Sequence, residues 1–148
     1  MPGTAADEVA LLRQRIAGNS EAVRGHLQSL EDMARHNNMD LKDCAEMLLV
    51  LAEVLNNIVE HAFHGVPEGW IDCTVRRQAD RFAIETCDNG TPLPPDLLSA
   101  GALPDTETAT EDLPEGGFGW FIVHALADDM VYEREHGQNR LSFSLQIA

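Results

Sequence analysis

The longest regular pattern of apolar residues in the chain lies between Leu41 and Ala62. Its members alternate steps of four and three residues, which predicts one long helix with a single apolar stripe. The stripe consists of Leu41, Ala45, Leu48, Ala52, Leu55, Val59 and Ala62. We expect this stripe to face the core, with Asp40 as the N-cap and Gly65 ending the helix.

Three polar residues of this helix, Glu53, Asn57 and His61, are spaced four apart and therefore share one face, nearly opposite the stripe. The outer face of a surface helix is usually charged, yet the neighbours of these three are the apolar residues Met47, Val50 and Val54. The pattern therefore predicts that the three polar residues line a second, partly enclosed surface. A carboxylate, an amide and an imidazole that meet on such a surface indicate a site.

Shorter patterns on both sides of this helix predict the other elements. Asn19 or Ser20 is the expected cap of an earlier helix, which Asn37-Asn38 breaks. One later helix contains Phe121, Ile122, Ala125 and Leu126. Apolar and polar alternation predicts five strands, at Val9–Ile16, Trp70–Arg77, Phe82–Thr86, Val131–Glu135 and Arg140–Ile147. The order predicts one α+β domain over residues 1–148, with a loose terminus at 1–7 and helices on one face of a sheet.

Composition excludes several classes of function. The net charge of −15 argues against nucleic-acid binding and against docking to an anionic membrane, and it favours a basic partner surface. The three cysteines, Cys44, Cys73 and Cys87, have neither zinc spacing nor a disulfide framework, so we expect buried thiols in a reducing cytosol. No apolar run has the length of a signal peptide or membrane span, so a soluble cytoplasmic protein is expected.

Three short motifs each have a functional and a structural interpretation. Glu53 and Asn57 fit a general base beside a Mg²⁺ ligand, or they are incidental polar residues of an amphipathic helix. Asp88-Asn-Gly90 after a strand fits an acceptor for the exocyclic amine of adenine, or a simple turn. Gly116-Gly117-Phe118-Gly119 fits a phosphate cradle at a helix N-terminus, or a flexible turn.

The order of the motifs is more specific than any one of them. Glu53-x-x-x-Asn57-x-x-x-His61-Ala62, a strand pair, Asp88-x-Gly90-x-Pro92, a loose loop and Gly117-x-Gly119 together resemble the Bergerat-fold (histidine-kinase-like) ATPases over roughly residues 20–147. The Asn57-x-x-x-His61-Ala62 ending and the short chain look most like bacterial anti-sigma factor serine-protein kinases. The resemblance implies a two-layer α+β sandwich whose mixed, mostly antiparallel sheet carries helices on one face.

The resemblance also implies roles for single residues. Glu53 would be the general base and Asn57 the Mg²⁺ ligand. Asp88 would bind the adenine amino group, with Gly90 beneath the base. The other implied positions are the phosphate-loop glycines, the nucleotide lid and a last-strand hydroxyl beside the adenine, namely Gly117 and Gly119, residues 93–116, and Ser142 or Ser144.

One feature departs from the family pattern. No Lys or Arg occurs between Arg81 and Arg134, while the lid is acidic, with Asp96, Asp105, Glu107, Glu111, Asp112 and Glu115. Phosphoryl transfer depends chiefly on stabilising negative charge. We therefore hypothesise that nucleotide binding is weak unless a partner supplies a cation.

Three functions follow as hypotheses. The first is an ATP- and Mg²⁺-dependent serine-protein kinase that phosphorylates an anti-sigma antagonist and sequesters a sigma factor, with homodimerisation usual in the resembled family. The second is a partner-switching module, with or without nucleotide, that has no kinase activity. The third is an unrelated α+β metal-binding domain, which requires that His61 and His64 ligate a metal.

Overall fold

The computed structural model describes residues 9–64, 66, 68–95 and 117–147. Along the chain its elements are β1 (Val9–Ala17), α1 (Ser20–His36), α2 (Leu41–Ala62), β2 (Trp70–Arg77), β3 (Arg81–Asp88), α3 (Gly117–Leu126), β4 (Ala127–Glu135) and β5 (Gln138–Gln146). The predicted loose terminus and most of the predicted lid lie outside the described residues, as does Gly65. No helix in the described ranges is long and apolar enough to cross a membrane.

The five strands form one sheet in the order β1-β2-β3-β5-β4. Each of the four pairings is antiparallel, which narrows the expected mixed sheet to an antiparallel one among the described strands. Among the described residues, helices α1, α2 and α3 contribute to one core with the alternate side chains of the strands. The predicted α+β architecture with helices on one face of the sheet is confirmed.

Both predicted helix caps are present. Asn19 Oδ1 accepts a hydrogen bond of 2.8 Å from the backbone N–H of Ala22, and Asp40 Oδ1 accepts one of 2.9 Å from Lys42. Such side chains satisfy N–H groups that have no partner inside the helix. Helix α2 ends three residues before the predicted Gly65, because Phe63 already leaves the helical conformation as its C-cap.

The buried face of α2 corrects the predicted stripe. Met47, Val50 and Val54 are fully buried, whereas Leu41 is 79% exposed and Ala45 is also exposed. Helix α2 contacts α1 and α3 and shares the core with the sheet, so it is buried over a wider arc than one stripe. The apolar residues beside the polar trio therefore belong to the core. The two faces predicted as separate are parts of one broad buried surface.

Candidate functional site

Asp88 is the last residue of β3, and its carboxylate is buried, with 1% of the residue exposed. Its Oδ1 atom accepts two hydrogen bonds of 2.9 Å, one from the backbone N–H of Gly90 and one from Asn139 Nδ2. The hydrogen bond to Gly90 closes a local turn, which is the structural interpretation of the Asp88-Asn-Gly90 motif. The turn and a buried carboxylate therefore coexist at this strand end.

In the structure, position 90 requires glycine for a reason that differs from the predicted one. A Cβ atom at position 90 would lie 2.5 Å from the backbone oxygen of Ala62 and 2.6 Å from its Cβ. Such distances are too short for any side chain, so the position requires glycine. The loop after β3 thus packs directly on the last turn of α2.

Thr91 joins the same two segments by hydrogen bonds. Its backbone N–H donates to the Ala62 oxygen at 2.8 Å, and its hydroxyl lies 3.3 Å from the backbone oxygens of both His61 and Ala62. The last carbonyls of a helix have no partner inside it, so Thr91 satisfies groups that would otherwise need water. The end of α2 is therefore fixed to the loop that carries Asp88.

Asn139, at the start of β5, completes this junction. The residue is 1% exposed, and its Nδ2 donates to Asp88 Oδ1 and, at 2.8 Å, to the backbone oxygen of Thr91. Its Oδ1 accepts from the Tyr132 hydroxyl and, at 3.0 Å, from Arg134 Nη1. The amide thus makes all four hydrogen bonds available to it. We call Asp88, Asn139, Tyr132 and Arg134 the Asp88 cluster.

The Asp88 cluster also holds the neighbouring backbone. Arg134 Nη1 donates to the Gly90 oxygen at 2.7 Å, and the Tyr132 hydroxyl accepts from the backbone N–H of Leu93 at 3.2 Å. Residues 90–93 are thereby tied to the β4–β5 hairpin as well as to α2.

Burial raises the pKa of the Asp88 carboxyl above its ordinary value of 3.8. Hydrogen bonds from Asn139 and from the Gly90 N–H oppose this effect, as does the positive charge of Arg134. The burial effect favours the neutral acid, whereas the three opposing groups favour the carboxylate. The protonation of Asp88 therefore depends on its neighbours.

Asn57 is 8% exposed on α2, and its Nδ2 donates to the backbone oxygen of Glu53 at 2.6 Å. This bond turns the amide nitrogen toward the helix and leaves Oδ1 as the end that can accept a ligand. Asn57 precedes Ala62 by five residues, roughly 7.5 Å along the helix axis. Glu53 is half-buried one turn further back. An amide oxygen and a nearby carboxylate are the hard donors that suit Mg²⁺ and its waters.

The remaining predicted residues fall in different places. Helix α3 begins at Gly117, as predicted, and includes Gly119, and it packs against α2. His61 contributes its backbone oxygen to the junction, and His64 is exposed. Within the described ranges, no three His, Cys, Asp or Glu residues are grouped so that they could hold a metal ion.

The structure does not bring Ser142 to this site. Ser142 pairs with Glu85 of β3 and Val131 of β4, and side chains alternate between the two faces of a strand. The core side of β5 carries Asn139, Leu141, Phe143 and Leu145. Ser142 therefore lies on the opposite face of the sheet from Asp88, and Ser144 shares that face. The polar last-strand side chain beside Asp88 is the amide of Asn139.

Sequence reasoning missed Asn139, Tyr132, Arg134 and Thr91. One signal was available for Asn139, because the alternation of Leu141, Phe143 and Leu145 continues backward to position 139 and places it on the core side. A polar residue at a core position normally has a buried partner. The identity of that partner requires the pairing of β5 with β3, which lies 51 residues earlier in the chain.

The chain is similar in sequence to serine-protein kinases named RsbW. The relative from Bacillus cereus (strain B4264) is 27% identical over 131 residues, which cover 88% of this chain and 81% of the relative. The relative from Oceanobacillus iheyensis is 24% identical over 127 residues, or 85% and 80% of the two chains.

Two solved structures share the fold. One is the SiaB–SiaC complex from Pseudomonas aeruginosa, with a TM-score of 0.62 and 14% identity over 93% of this chain and 91% of that chain. The other contains the RsbU and RsbW domains of Rv1364c from Mycobacterium tuberculosis, with a TM-score of 0.59 and 13% identity over 93% and 33%. The family description "Histidine kinase-like ATPase domain" matches residues 16–145, which is most of the sequence. The chain therefore belongs to the family of histidine kinase-like ATPase domains.

Proposed function

We propose that the chain is an ATP-dependent serine-protein kinase that phosphorylates an anti-sigma antagonist and sequesters a sigma factor by partner switching. The observation that carries the proposal is the junction between the end of α2 and the Asp88 loop. It unites a buried acceptor at a strand end with a helix that bears a carboxylate and an amide oxygen, and that oxygen has no hydrogen bond among the described residues. Family membership and the similarity to RsbW kinases support ATP as the phosphoryl donor.

At one end of the pocket, Asp88 would accept a hydrogen bond from the exocyclic amine of adenine. Its Oδ1 already accepts two bonds within the protein, so Oδ2 is the atom available to the base. Gly90 carries no side chain that would block the approach of the purine.

At the other end, Asn57 Oδ1 would hold Mg²⁺ together with phosphate oxygens and waters. Mg²⁺, when bound, would neutralise charge on those oxygens. Glu53 would act as the general base and remove the proton from the substrate serine hydroxyl. The serine oxygen then bonds to the γ-phosphorus, the bond to the β-phosphate oxygen breaks, and ADP leaves. The backbone N–H groups of Gly117 and Gly119 at the start of α3 would bind phosphate oxygens.

The partners of this activity belong to the same proposal. The phosphorylated partner would be an antagonist protein that presents a serine, and the sequestered partner a sigma factor whose contact surface is basic enough to suit a chain of net charge −15. A homodimer is expected as well, and sedimentation of the purified protein measures it.

The proposal is tested by incubation of the protein with γ-labelled ATP, Mg²⁺ and a candidate antagonist, followed by phosphoserine analysis. We expect labelled phosphoserine on the antagonist and its loss with Glu53→Ala, while antagonist binding survives. Label that is unchanged in the Glu53→Ala protein would refute the role of Glu53. An antagonist that binds tightly yet never becomes labelled would refute kinase activity.

A second function, partner switching without catalysis, is favoured by one observation. The first cationic residue after Arg81 is Arg134, and its Nη1 atom is bonded to Gly90 and Asn139 at the Asp88 end. Because the guanidinium is bonded at the Asp88 end, it is not placed to neutralise the negative charge of phosphates at the Glu53 end. Under this reading, the Glu53→Ala protein leaves sigma-factor release by the antagonist unchanged in a reconstituted assay.

A further inference from the structure

We propose that Asn139 determines which purine the Asp88 site accepts, and that Tyr132 and Arg134 are positioning residues that fix the orientation of its amide. Asn139 would hold the Asp88 carboxylate as a pure hydrogen-bond acceptor, which selects a 6-amino purine over a 6-oxo purine. The inference rests on the proposed function, because it concerns the base bound in the same pocket.

The orientation of the Asn139 amide is determined by its four partners. Its oxygen faces two donors, the Tyr132 hydroxyl and Arg134 Nη1. Its nitrogen faces two acceptors, Asp88 Oδ1 and the Thr91 backbone oxygen. A rotation of the amide by 180° would place its oxygen against a carboxylate and a carbonyl, and its nitrogen against a guanidinium. Three of the four contacts would then be unfavourable, so Nδ2 remains directed at Asp88.

The donors on Oδ1 determine what Asp88 can offer to a ligand. A carboxylate that accepts hydrogen bonds from protein N–H groups is stabilised in its ionised form. Ionised Asp88 only accepts, so it pairs with a 6-amino group, which donates. A 6-oxo group is itself an acceptor and would face the carboxylate with no proton between the two oxygens. Protonated Asp88 would instead donate its proton to a 6-oxo group.

Removal of the Asn139 donor would shift this balance. Burial already raises the pKa of Asp88, and Asn139 is the first of the groups that lower it again. Without that hydrogen bond, the neutral acid becomes easier to form when a 6-oxo purine supplies an acceptor. Discrimination between the two purines would therefore fall, even where the fold is intact.

Arg134 fixes the position of the backbone near Asp88 as well as the orientation of the Asn139 amide. It bonds the Asn139 oxygen and the Gly90 oxygen at once, so one guanidinium sets the amide and the loop on which the base would rest. Tyr132 acts on the same amide oxygen through a single hydroxyl. Loss of either residue should therefore act in the same direction as loss of Asn139, with a smaller effect.

The test is calorimetric titration of the 148-residue chain with Mg-ATP and, separately, with Mg-inosine triphosphate, which carries a 6-oxo group and lacks the 6-amino group. We expect Asn139→Leu to lower the ratio of ATP to inosine triphosphate affinity by at least about 10-fold. Tyr132→Phe and Arg134→Met should lower it less. Ser142→Ala, on the other face of the same strand, is the matched control and should leave the ratio unchanged. A thermal melt checks that each variant is folded, and Tyr132→Phe, which removes only one oxygen, keeps the test available if Asn139→Leu does not fold.

If Asn139 had only a structural role, its substitution would lower the affinities for ATP and for inosine triphosphate by the same factor. The ratio of the two affinities would then stay unchanged. That result, or equal affinities of the unaltered protein for the two nucleotides, overturns the specificity role while ATP binding and the proposed kinase function stand. Failure of the unaltered protein to bind either nucleotide, with or without the antagonist, overturns the proposed function and this inference with it.

Discussion

The two ends of the proposed nucleotide pocket are built differently. At the Asp88 end, a buried carboxylate is held by partners from the loop after β3 and from the β4–β5 hairpin. At the Glu53–Asn57 end, both residues belong to one helix, the bond between them is local, and Glu53 is half-buried. Selection of a base requires a dry, fixed acceptor. Phosphoryl transfer to a protein serine requires a carboxylate that a second protein can reach.

The Asp88 end also carries an energetic cost. A carboxylate whose pKa is raised by burial is less stable as a charge in the fold than in water. A charge that burial disfavours, and that two hydrogen bonds nevertheless hold in place, fits a role in binding. The α2 end has no comparable buried charge, because its carboxylate, on Glu53, is partly exposed. Each end therefore predicts a different response to mutation.

The largest effect is expected at the proposed catalytic end. Glu53→Gln keeps the size and polarity of the side chain and removes the proposed general base, so phosphoserine formation should slow by about 10² to 10⁴-fold. Mg-ATP affinity should change little, because binding rests on other groups. Initial rates and calorimetry measure the two quantities. Glu60→Gln, an exposed glutamate on the same helix, is the matched control and should leave both unchanged. Equal losses of rate and affinity in Glu53→Gln would show that the two ends are not functionally distinct.

At the base end, Asp88→Asn should reduce Mg-ATP affinity by about 10 to 100-fold, because a charged acceptor is lost. Stability should respond in the opposite direction. The folded-state pKa of Asp88 lies above 3.8, so the native protein loses stability as pH rises from 3.8 to that raised pKa. The asparagine side chain of the variant does not titrate, so the variant lacks this loss. The free energy of unfolding of the variant should therefore rise relative to that of the unaltered protein across this pH interval, and it should stay higher at neutral pH. Urea unfolding at a series of pH values measures the difference. A variant that is less stable at every pH would assign Asp88 a structural role.

A smaller effect is expected at the contact between the two ends. Gly90→Ala places a Cβ 2.5 Å from the Ala62 oxygen and should lower the free energy of unfolding by about 1–3 kcal/mol, because backbone must move. Gly25→Ala is the control, since nothing lies within 4 Å of a Cβ at that exposed position of α1. That substitution should raise stability by about 0.5–1 kcal/mol. Similar results for the two variants would mean that the loop and α2 are not in contact.

Much of the fold follows from local patterns in the sequence. Period-2 alternation located the strands, and Asn19 and Asp40 marked helix starts because side-chain capping is a local interaction. The core face of α2 was predicted less well. Which arc of a helix is buried depends on what packs around it, and α2 contacts α1 and α3 and shares the core with the sheet. Leu41 is apolar but lies at the first turn, where it is exposed.

The candidate site likewise contains residues that local motifs predict and residues that only long-range pairing brings together. Glu53, Asn57 and Asp88 could be proposed as site residues from the sequence because their motifs are short and occur in a recognisable order. The residues that orient Asp88 lie in a hairpin more than 40 residues later, and only the register of β5 against β3 brings Asn139 to it. Ser142 or Ser144 was proposed from the family resemblance, which implies a hydroxyl on the last strand but does not say which face of the strand each serine occupies. Long-range pairing, which no local pattern encodes, therefore accounts for the residues that were missed.

The central claim is that the two ends form one pocket for one nucleotide. The most direct test is a titration of the isotopically labelled protein with Mg-ADP, followed by the side-chain amide signals of Asn57 and Asn139 in nitrogen–proton NMR spectra. We expect both signals to shift with the same midpoint, and neither signal to shift at the same concentrations in Asp88→Asn. Movement of only one signal, or two different midpoints, would contradict a single pocket.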